Sequence, residues 1–166
     1  MKDFSYCPFC REKMEHVMIE HEGRERNVCP KCGYIQYHNP LPSVGMLVIK
    51  DGKCLLIKRG KAPGKGSWAP PSGFVEVGET LEDAAARELK EETGLIAHAS
   101  ELIGAYCEPN DVYGYVITIV YLCEIDGGEL IAGDDAEAAG YFALDEMPEM
   151  FFPCFDKAIK RYRETH

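Results

Sequence analysis

Short apolar runs separated by turn residues predict a mixed α and β domain from about residue 42 onward. Two runs, at residues 44–50 and 54–58, are joined by Asp51–Gly52, a dipeptide typical of tight β-hairpins. Three further strands are predicted at residues 102–107, 115–125 and 140–144, with a turn at 126–128. Together with the helices described next, the pattern indicates an α+β fold.

Apolar residues at helical spacing predict a helix over residues 80–93 and a second, closing helix over residues 155–163. Thr80 is a suitable N-cap for the first helix, and Gly94 stands where a helix is expected to end. The apolar stripe of this helix consists of Leu81, Ala84, Ala85 and Leu89. The preceding loop, residues 60–73, is long and rich in Gly and Pro, and loops of that length are often functional.

Three carboxylates share one face at the end of the first predicted helix. Glu88, Glu91 and Glu92 are spaced i, i+3 and i+4, so that each like-charged pair costs roughly 0.2–0.5 kcal/mol. A solvated acidic face is one explanation of the spacing. However, Glu88 and Glu92 continue the apolar stripe, and carboxylates near a buried face must be paired or bind metal. The pattern therefore favours a divalent cation site for Mg²⁺ or Mn²⁺, which prefer oxygen ligands.

Two C-x-x-C pairs near the N-terminus have the spacing of a structural zinc site. Cys7 and Cys10 form the first pair, Cys29 and Cys32 form the second, and Gly33 allows a sharp turn after it. Four thiolates can complete a tetrahedral zinc shell, which leaves no open position for catalysis. A pair of disulfides or four unrelated thiols are the alternatives, and in a chain without an export signal zinc is favoured over both.

The first 39 residues are too few to build an adequate core, so bound zinc would supply the missing stability. Two prolines within residues 37–43 place a domain boundary there. We therefore predict a zinc ribbon over residues 1–39, a small β module with a hairpin turning at Glu22–Gly23, followed by a domain over residues 40–166. The remaining cysteines are predicted to be small buried apolar residues: Cys54, Cys107, Cys123 and Cys154.

The charge and apolar content of the chain exclude some classes of function. A formal net charge of −10 disfavours nucleic acid as a partner, because that binding relies on Lys and Arg. An anionic small molecule remains compatible if divalent cations lie between it and the carboxylates. No apolar run approaches the roughly 18–20 residues of a membrane span, and the first residues lack a signal region. A cytoplasmic protein is therefore expected.

Residues 73–95, GFVEVGETLEDAAARELKEETGL, resemble the Nudix box at all its defining positions. The resemblance extends over roughly residues 42–163, and the added zinc ribbon resembles the NADH, ADP-ribose or FAD pyrophosphatase branches. It implies an α/β/α sandwich with a mixed sheet. It also implies metal-dependent hydrolysis of a nucleoside diphosphate linked to a moiety X, which gives a nucleoside monophosphate and phosphorylated X. Homodimers are common in the family.

Site residues follow partly from chemistry and partly from this resemblance. Arg87 can pair with Glu79 and hold the loop against the helix. Two divalent ions bound by the box glutamates could activate water and neutralise diphosphate oxygens. The general base is Glu88 or a residue beyond the box, where Glu137 matches the approximate position of a downstream glutamate in related proteins. Geometry has to decide between them.

The substrate is less well defined by the sequence. The stretch SQPWPFP that marks the NADH branch has no counterpart between Ile96 and Ile125, which favours ADP-ribose, FAD or another dinucleotide. Aromatic residues that could stack on an adenine or flavin are Phe74, Tyr106, Tyr113 and Tyr115, although each also suits core or surface packing. Two alternatives remain: a pyrophosphatase that removes oxidised nucleoside triphosphates, and a non-catalytic zinc-ribbon module that binds RNA or protein.

Overall fold

The computed structural model describes residues 3–133 and 135–166. The N-terminal module contains three strands: β1 (Glu15–Ile19), β2 (Arg24–Val28) and β3 (Ile35–Gln36). The following domain contains β4 (Leu41–Leu47), β5 (Ile49–Lys50), β6 (Lys53–Arg59), β7 (Trp68–Ala69), β8 (Ser72–Phe74), α1 (Leu81–Thr93), β9 (Leu95–Asn110), β10 (Gly114–Gly128), β11 (Ala136–Ala143) and α2 (Pro153–Thr165). Within the described residues, no helix is both long and apolar enough to cross a membrane.

Two four-strand arrangements form the centre of the larger domain. One has the order β8-β4-β10-β9, in which β4 and β10 are parallel and the other neighbours are antiparallel. The second joins β11, β6 and β5, with β7 paired to β6. Helix α1 packs on one face of these strands and α2 on the other. The predicted α+β class, with a mixed sheet between two helices, is therefore confirmed.

Side chains alternate across β10, and this alternation divides the core into two layers. Tyr121 and Cys123 belong to the cluster that surrounds α1, whereas Val120 belongs to the cluster that surrounds α2. Phe155 of α2 is almost fully buried, and one of its ring carbons occupies the space beside Gly45 of β4. A side chain at residue 45 would therefore push α2 away from the sheet.

Both hairpins predicted from the sequence are present. Asp51 and Gly52 connect β5 to β6, and their φ angles of 50° and 73° are those of a type I′ turn. Gly23 has a φ of 63° in the turn between β1 and β2. The predicted strand over residues 44–50 is interrupted between β4 and β5.

Helix α1 begins and ends where capping residues predict. The Thr80 hydroxyl accepts a hydrogen bond from the backbone N–H of Asp83 at 3.1 Å, and Gly94 adopts a left-handed φ of 70°. Ala84, Ala85 and Leu89 are fully buried, as their spacing indicates. The last turn therefore carries its glutamates at a defined rotation relative to the core.

The predicted turn at residues 126–128 is wrong, because β10 continues through it. Gly127 pairs with Ile96 and Gly128 pairs with Leu95, across a register irregularity. A side chain at residue 128 would collide with the carbonyl oxygen of Gly94. Gly128 permits two backbones to approach closely at this place, and the chain does not reverse there.

Three other expectations need correction. Strand β9 is much longer than the predicted 102–107, since pairing with β10 extends it in both directions. Pro42 lies within β4, and the loop over residues 60–73 contains β7 and the start of β8. Cys107 is exposed, while Cys54, Cys123 and Cys154 are buried as predicted.

Candidate active site and metal centre

The four N-terminal cysteines converge on one point. The Sγ atoms of Cys10 and Cys29 are 3.4 Å apart, and those of Cys7 and Cys32 are 3.6 Å apart. All four sulfurs lie within 4.8 Å of one another. A tetrahedral shell with zinc–sulfur bonds of about 2.3 Å places its sulfurs about 3.8 Å apart. The arrangement thus fits a zinc ion, and the separations are too long for disulfides.

Two equivalent turns present these cysteines. The backbone N–H of Arg11 donates to the Cys7 carbonyl at 2.9 Å, and that of Gly33 donates to the Cys29 carbonyl at 3.0 Å. Both donor residues have positive φ angles, of 60° and 74°. Each turn brings the two cysteines of its pair to the same side, and the hairpin of β1 and β2 brings the two turns together.

A cavity of about 720 Å³ lies between the C-terminal half of α1, strand β8 and the beginning of α2. Its floor includes Ser43 and Thr118, whose hydroxyls are hydrogen bonded at 2.9 Å. Its acidic lining residues are Glu76, Glu88, Glu91, Glu92, Glu108, Asp111 and Asp135, and its basic ones are Arg59, Lys61 and Arg87. Because acidic residues predominate, an anionic ligand requires cations in this cavity.

Glu92 is the most deeply buried carboxylate of the cavity, with only 5% of the residue exposed. Its Oε2 accepts a hydrogen bond of 2.8 Å from the backbone N–H of Ser72. Burial raises the pKa of Glu92 to about 8, and the nearby charge of Glu88 adds to this effect. A carboxylate in such a place gains most from a bound cation, so its surroundings fit a divalent metal ligand.

Glu88 lies beside Glu92 on the same helical face, and burial also raises its pKa. Its carboxylate occupies the position where Gly73 would carry a side chain. Two glycines that precede α1 therefore serve different purposes. Gly78 does adopt a positive φ, of 95°, but Gly73 is required for space.

Arg87 joins the loop to the helix. Its Nε and Nη2 donate to the two oxygens of Glu79 at 3.0 and 2.7 Å, the ion pair that the sequence predicts. Its Nη1 donates to Glu88 at 2.7 Å and to the half-exposed Glu91 at 3.2 Å, and Nη2 also reaches the carbonyl of Phe74 at 3.0 Å. The hydrogen bonds from Arg87 lower the pKa of Glu79 to about 2.

Arg59 and Asp135 are among the cavity residues that the sequence does not single out. Arg59, the last residue of β6, lies with its guanidinium carbon 5.0 Å from the ring centre of Phe152, and burial lowers its pKa. Asp135 also lines the cavity, contacts Lys61 through its carboxylate, and accepts a hydrogen bond from the N–H of Gly60 through its carbonyl. Neither residue belongs to a local motif, so only long-range packing reveals them.

The predicted downstream glutamate lies outside the cavity lining. The carboxylate of Glu137 is 3.8 Å from Lys58 Nζ and 3.9 Å from Lys65 Nζ, beside the 60–67 loop. The register shift between Ala136 and Ala138 marks where β11 begins to pair with β6. Between Asp135 and Glu137, it is Asp135 that lines the cavity.

The four predicted aromatic residues divide into two groups. Phe74 and Tyr113 line the cavity and contact each other edge to face, with ring centres 5.1 Å apart. Tyr106 instead packs into the core beneath α2. Tyr115 is exposed, and since its neighbour Val116 lines the cavity, strand alternation directs Tyr115 to the other side of the sheet. Phe151 and Phe152, which the sequence does not single out, also line the cavity.

Comparisons with known proteins agree with the fold and with the box. Residues 39–162 match the family model described as NUDIX domain, and residues 5–38 match the one described as Nudix N-terminal. Fold and site together define a hydrolase of phosphoanhydride bonds, an expectation that these matches confirm. The chain belongs to the Nudix family, with the zinc-ribbon module of that family at its N-terminal side.

Three relatives illustrate the similarity. The chain is 48% identical over 130 residues to an ADP-ribose pyrophosphatase from Methanocaldococcus jannaschii, covering 78% of this chain and 76% of the relative. It is 29% identical over 149 residues to the NAD-capped RNA hydrolase NudC from Chromobacterium violaceum, covering 89% of this chain and 53% of that protein. A NUDIX hydrolase structure from Nitrosomonas europaea matches with a TM-score of 0.82 and 29% identity, over 98% of this chain and 92% of that one.

Proposed function

We propose that this protein hydrolyses ADP-ribose, a nucleoside diphosphate linked to a sugar, to AMP and ribose 5-phosphate. The observation that carries the proposal is the carboxylate face of α1, which is directed into a cavity of about 720 Å³ and includes the buried Glu92. That cavity is large enough for a dinucleotide-sized ligand. The 48% identity to an ADP-ribose pyrophosphatase favours this substrate over FAD and NADH.

Glu88, Glu91 and Glu92 would hold the divalent ions, Mg²⁺ or Mn²⁺. Ions bound there supply charge neutralisation for the diphosphate and an activated water for the displacement. Arg87 sets the positions of Glu88 and Glu91 through its hydrogen bonds, and Glu79 fixes Arg87 in turn. In this proposal the ion pair orients the metal ligands and does not touch the substrate.

The general base is proposed among the carboxylates that face the cavity. Glu88 remains a candidate, since it lies on the metal-binding face. Among the downstream residues, Asp135 is better placed than Glu137, whose carboxylate lies near two lysines outside the cavity lining. A base must come within hydrogen-bond reach of the attacking water, and the position of Asp135 supports this role.

We further propose that Phe74 and Tyr113 contact the adenine. Their edge-to-face pair at the rim of the cavity leaves ring surface exposed for stacking, with Phe74 38% and Tyr113 39% exposed. The positions of Tyr106 and Tyr115 do not support such a contact.

The zinc ion is proposed to be structural, in a ribbon that spans residues 1–39 ahead of a catalytic domain over residues 40–166. Four converging sulfurs complete the coordination shell by themselves, so the ribbon offers no position for a catalytic water.

Product analysis tests the proposed reaction. The purified protein with Mg²⁺ is incubated separately with ADP-ribose, FAD, NADH and a nucleoside triphosphate, and the products are separated by chromatography. We expect AMP and ribose 5-phosphate from ADP-ribose, at a higher kcat/KM than with the other substrates. Release of pyrophosphate from the triphosphate as the main reaction would instead identify a triphosphate pyrophosphatase. Absence of any product would leave a non-catalytic binding module as the better explanation.

A further inference from the structure

Two arginines line the cavity, and they differ in how their N–H groups are used. Arg87 makes five hydrogen bonds to Glu79, Glu88, Glu91 and the carbonyl of Phe74, which occupy all five of its donors. In contrast, the part of the chain that the structure describes offers the Arg59 guanidinium a single hydrogen bond, from Nε to the Pro63 carbonyl at 2.9 Å.

The position of Arg59 is nevertheless well defined. Its backbone N–H donates to the Ser67 carbonyl at 2.9 Å, and its own carbonyl accepts from the N–H of Gly66 at 2.7 Å. Its guanidinium carbon lies 5.0 Å from the ring centre of Phe152. The backbone, Nε and one face of the guanidinium are thus held by the protein, which lowers the entropy cost of binding a ligand.

The charges around Arg59 indicate what kind of ligand it can bind. The nearby carboxylates are Glu92 and Asp135, but neither accepts a hydrogen bond from it in the structure. Among residues 3–133 and 135–166, the two Nη groups therefore have no hydrogen-bond acceptor, and they lie on a wall of the cavity that also contains the proposed metal-binding glutamates. A phosphate, with several acceptor oxygens, matches the planar arrangement of these donors.

We propose that Arg59 is a substrate-binding residue whose Nη groups donate hydrogen bonds to a phosphate of the diphosphate. The proposal rests on the proposed function, because it needs a diphosphate in this cavity. In this proposal, the positive charge that neutralises the diphosphate comes from two sources. The glutamates of α1 would hold divalent ions, and Arg59 would supply a fixed positive charge from the cavity wall.

Steady-state kinetics with ADP-ribose provide the first test. We expect Arg59→Gln to raise KM by about tenfold to a hundredfold, because hydrogen bonds to a charged group are lost. Arg59→Lys retains the charge but lacks the planar pair of donors, so its KM should fall between those of Arg59→Gln and the wild type. The matched control is Arg163→Gln, which removes the same charge from the exposed end of α2 and should leave KM unchanged.

Calorimetric binding of ADP in the presence of Mg²⁺ separates this proposal from the proposed function. If the wild type binds ADP but cleaves nothing, and Arg59→Gln weakens ADP binding at least tenfold, then Arg59 binds phosphate and the proposed activity is wrong. ADP affinity within twofold of the wild type in Arg59→Gln, or no ADP binding by the wild type, would overturn the assignment. If circular dichroism shows that Arg59→Gln is unfolded, ADP binding is measured with the folded Arg59→Lys variant instead. An ADP affinity of Arg59→Lys within twofold of the wild type would then overturn the assignment.

Discussion

The carboxylate of Glu88 lies against the α-carbon of Gly73, in the space that any side chain at residue 73 would occupy. The contact joins strand β8 to the last turns of α1 across 15 residues of sequence. Residue 73 must be glycine because of this contact, since its backbone has no positive φ angle that would require one. The position of a proposed metal-binding carboxylate thus depends on the absence of a side chain at residue 73.

Replacing this glycine should impair catalysis more than folding. In Gly73→Ala the new methyl group displaces the Glu88 carboxylate, and a misplacement of about 1 Å at a reacting site can cost about a hundredfold in rate. We expect a kcat reduced by about that factor in the ADP-ribose assay. Gly127→Ala is the control, since its added carbon meets no neighbouring atom. Equal kcat values in the two variants would show that Glu88 needs no such space.

Removing the charge of Glu92 should abolish turnover without unfolding the protein. Glu92→Gln keeps the size of the side chain and removes a buried carboxylate, so thermal stability in metal-free buffer should be equal or higher. Hydrolysis should fall to background, and Mg²⁺ should bind more weakly by calorimetry. Glu124→Gln, an exposed change on β10, is the control. Turnover retained in Glu92→Gln would refute its assignment as a metal ligand.

The ion pair of Arg87 and Glu79 predicts a defined pH dependence of stability. The pKa of Glu79 is lowered to about 2 from an ordinary value of 4.5. The charged form is therefore favoured in the folded protein, and its contribution is present above about pH 4.5 and is lost as the pH falls toward 2.

Urea unfolding of the wild type and of Glu79→Gln at several pH values measures this contribution. The variant should be less stable at neutral pH, and the difference should shrink progressively below pH 4.5. A difference that stays constant down to pH 3 would show that the carboxylate charge is not its source.

The two downstream carboxylates can be told apart by paired substitutions. If Asp135 acts as the general base, Asp135→Asn should lower kcat by about a hundredfold or more, as is typical for loss of a general base. Glu137→Gln should change kcat by less than about threefold, because its carboxylate lies outside the cavity lining. The reverse order of effects would favour Glu137, and small effects in both variants would leave Glu88 as the candidate.

Loss of a zinc ligand should destabilise the N-terminal module alone. Cys29→Ser removes one buried thiolate, so we expect less than one zinc per chain by atomic absorption and a lower Tm. The Mg²⁺ concentration needed for half-maximal hydrolysis should not change, because that metal binds elsewhere. Cys107→Ser, at an exposed position of β9, should retain both zinc and Tm. Normal zinc content in Cys29→Ser would contradict the proposed ligand set.

Sequence alone was sufficient for the features that depend on local spacing. The two C-x-x-C turns, the type I′ hairpin at Asp51–Gly52 and the capped helix α1 all follow from interactions within a few residues. The glutamate face belongs to the same group, because helical geometry determines which side chains share a face and the buried stripe determines its direction. The glutamate face and the C-x-x-C turns are also the features on which the family resemblance rests.

Long-range packing was needed for the features that join distant segments. Gly73 is a glycine because Glu88 approaches it, Asp135 lies in the cavity while Glu137 does not, and Arg59 packs against Phe152 at the cavity wall. None of these relationships has a periodicity or a fixed spacing, since each depends on how separate strands and loops come together. Local residue order therefore specified the elements, the cysteine cluster and the glutamate face of α1. Contacts between segments far apart in the chain specified which other side chains face the cavity.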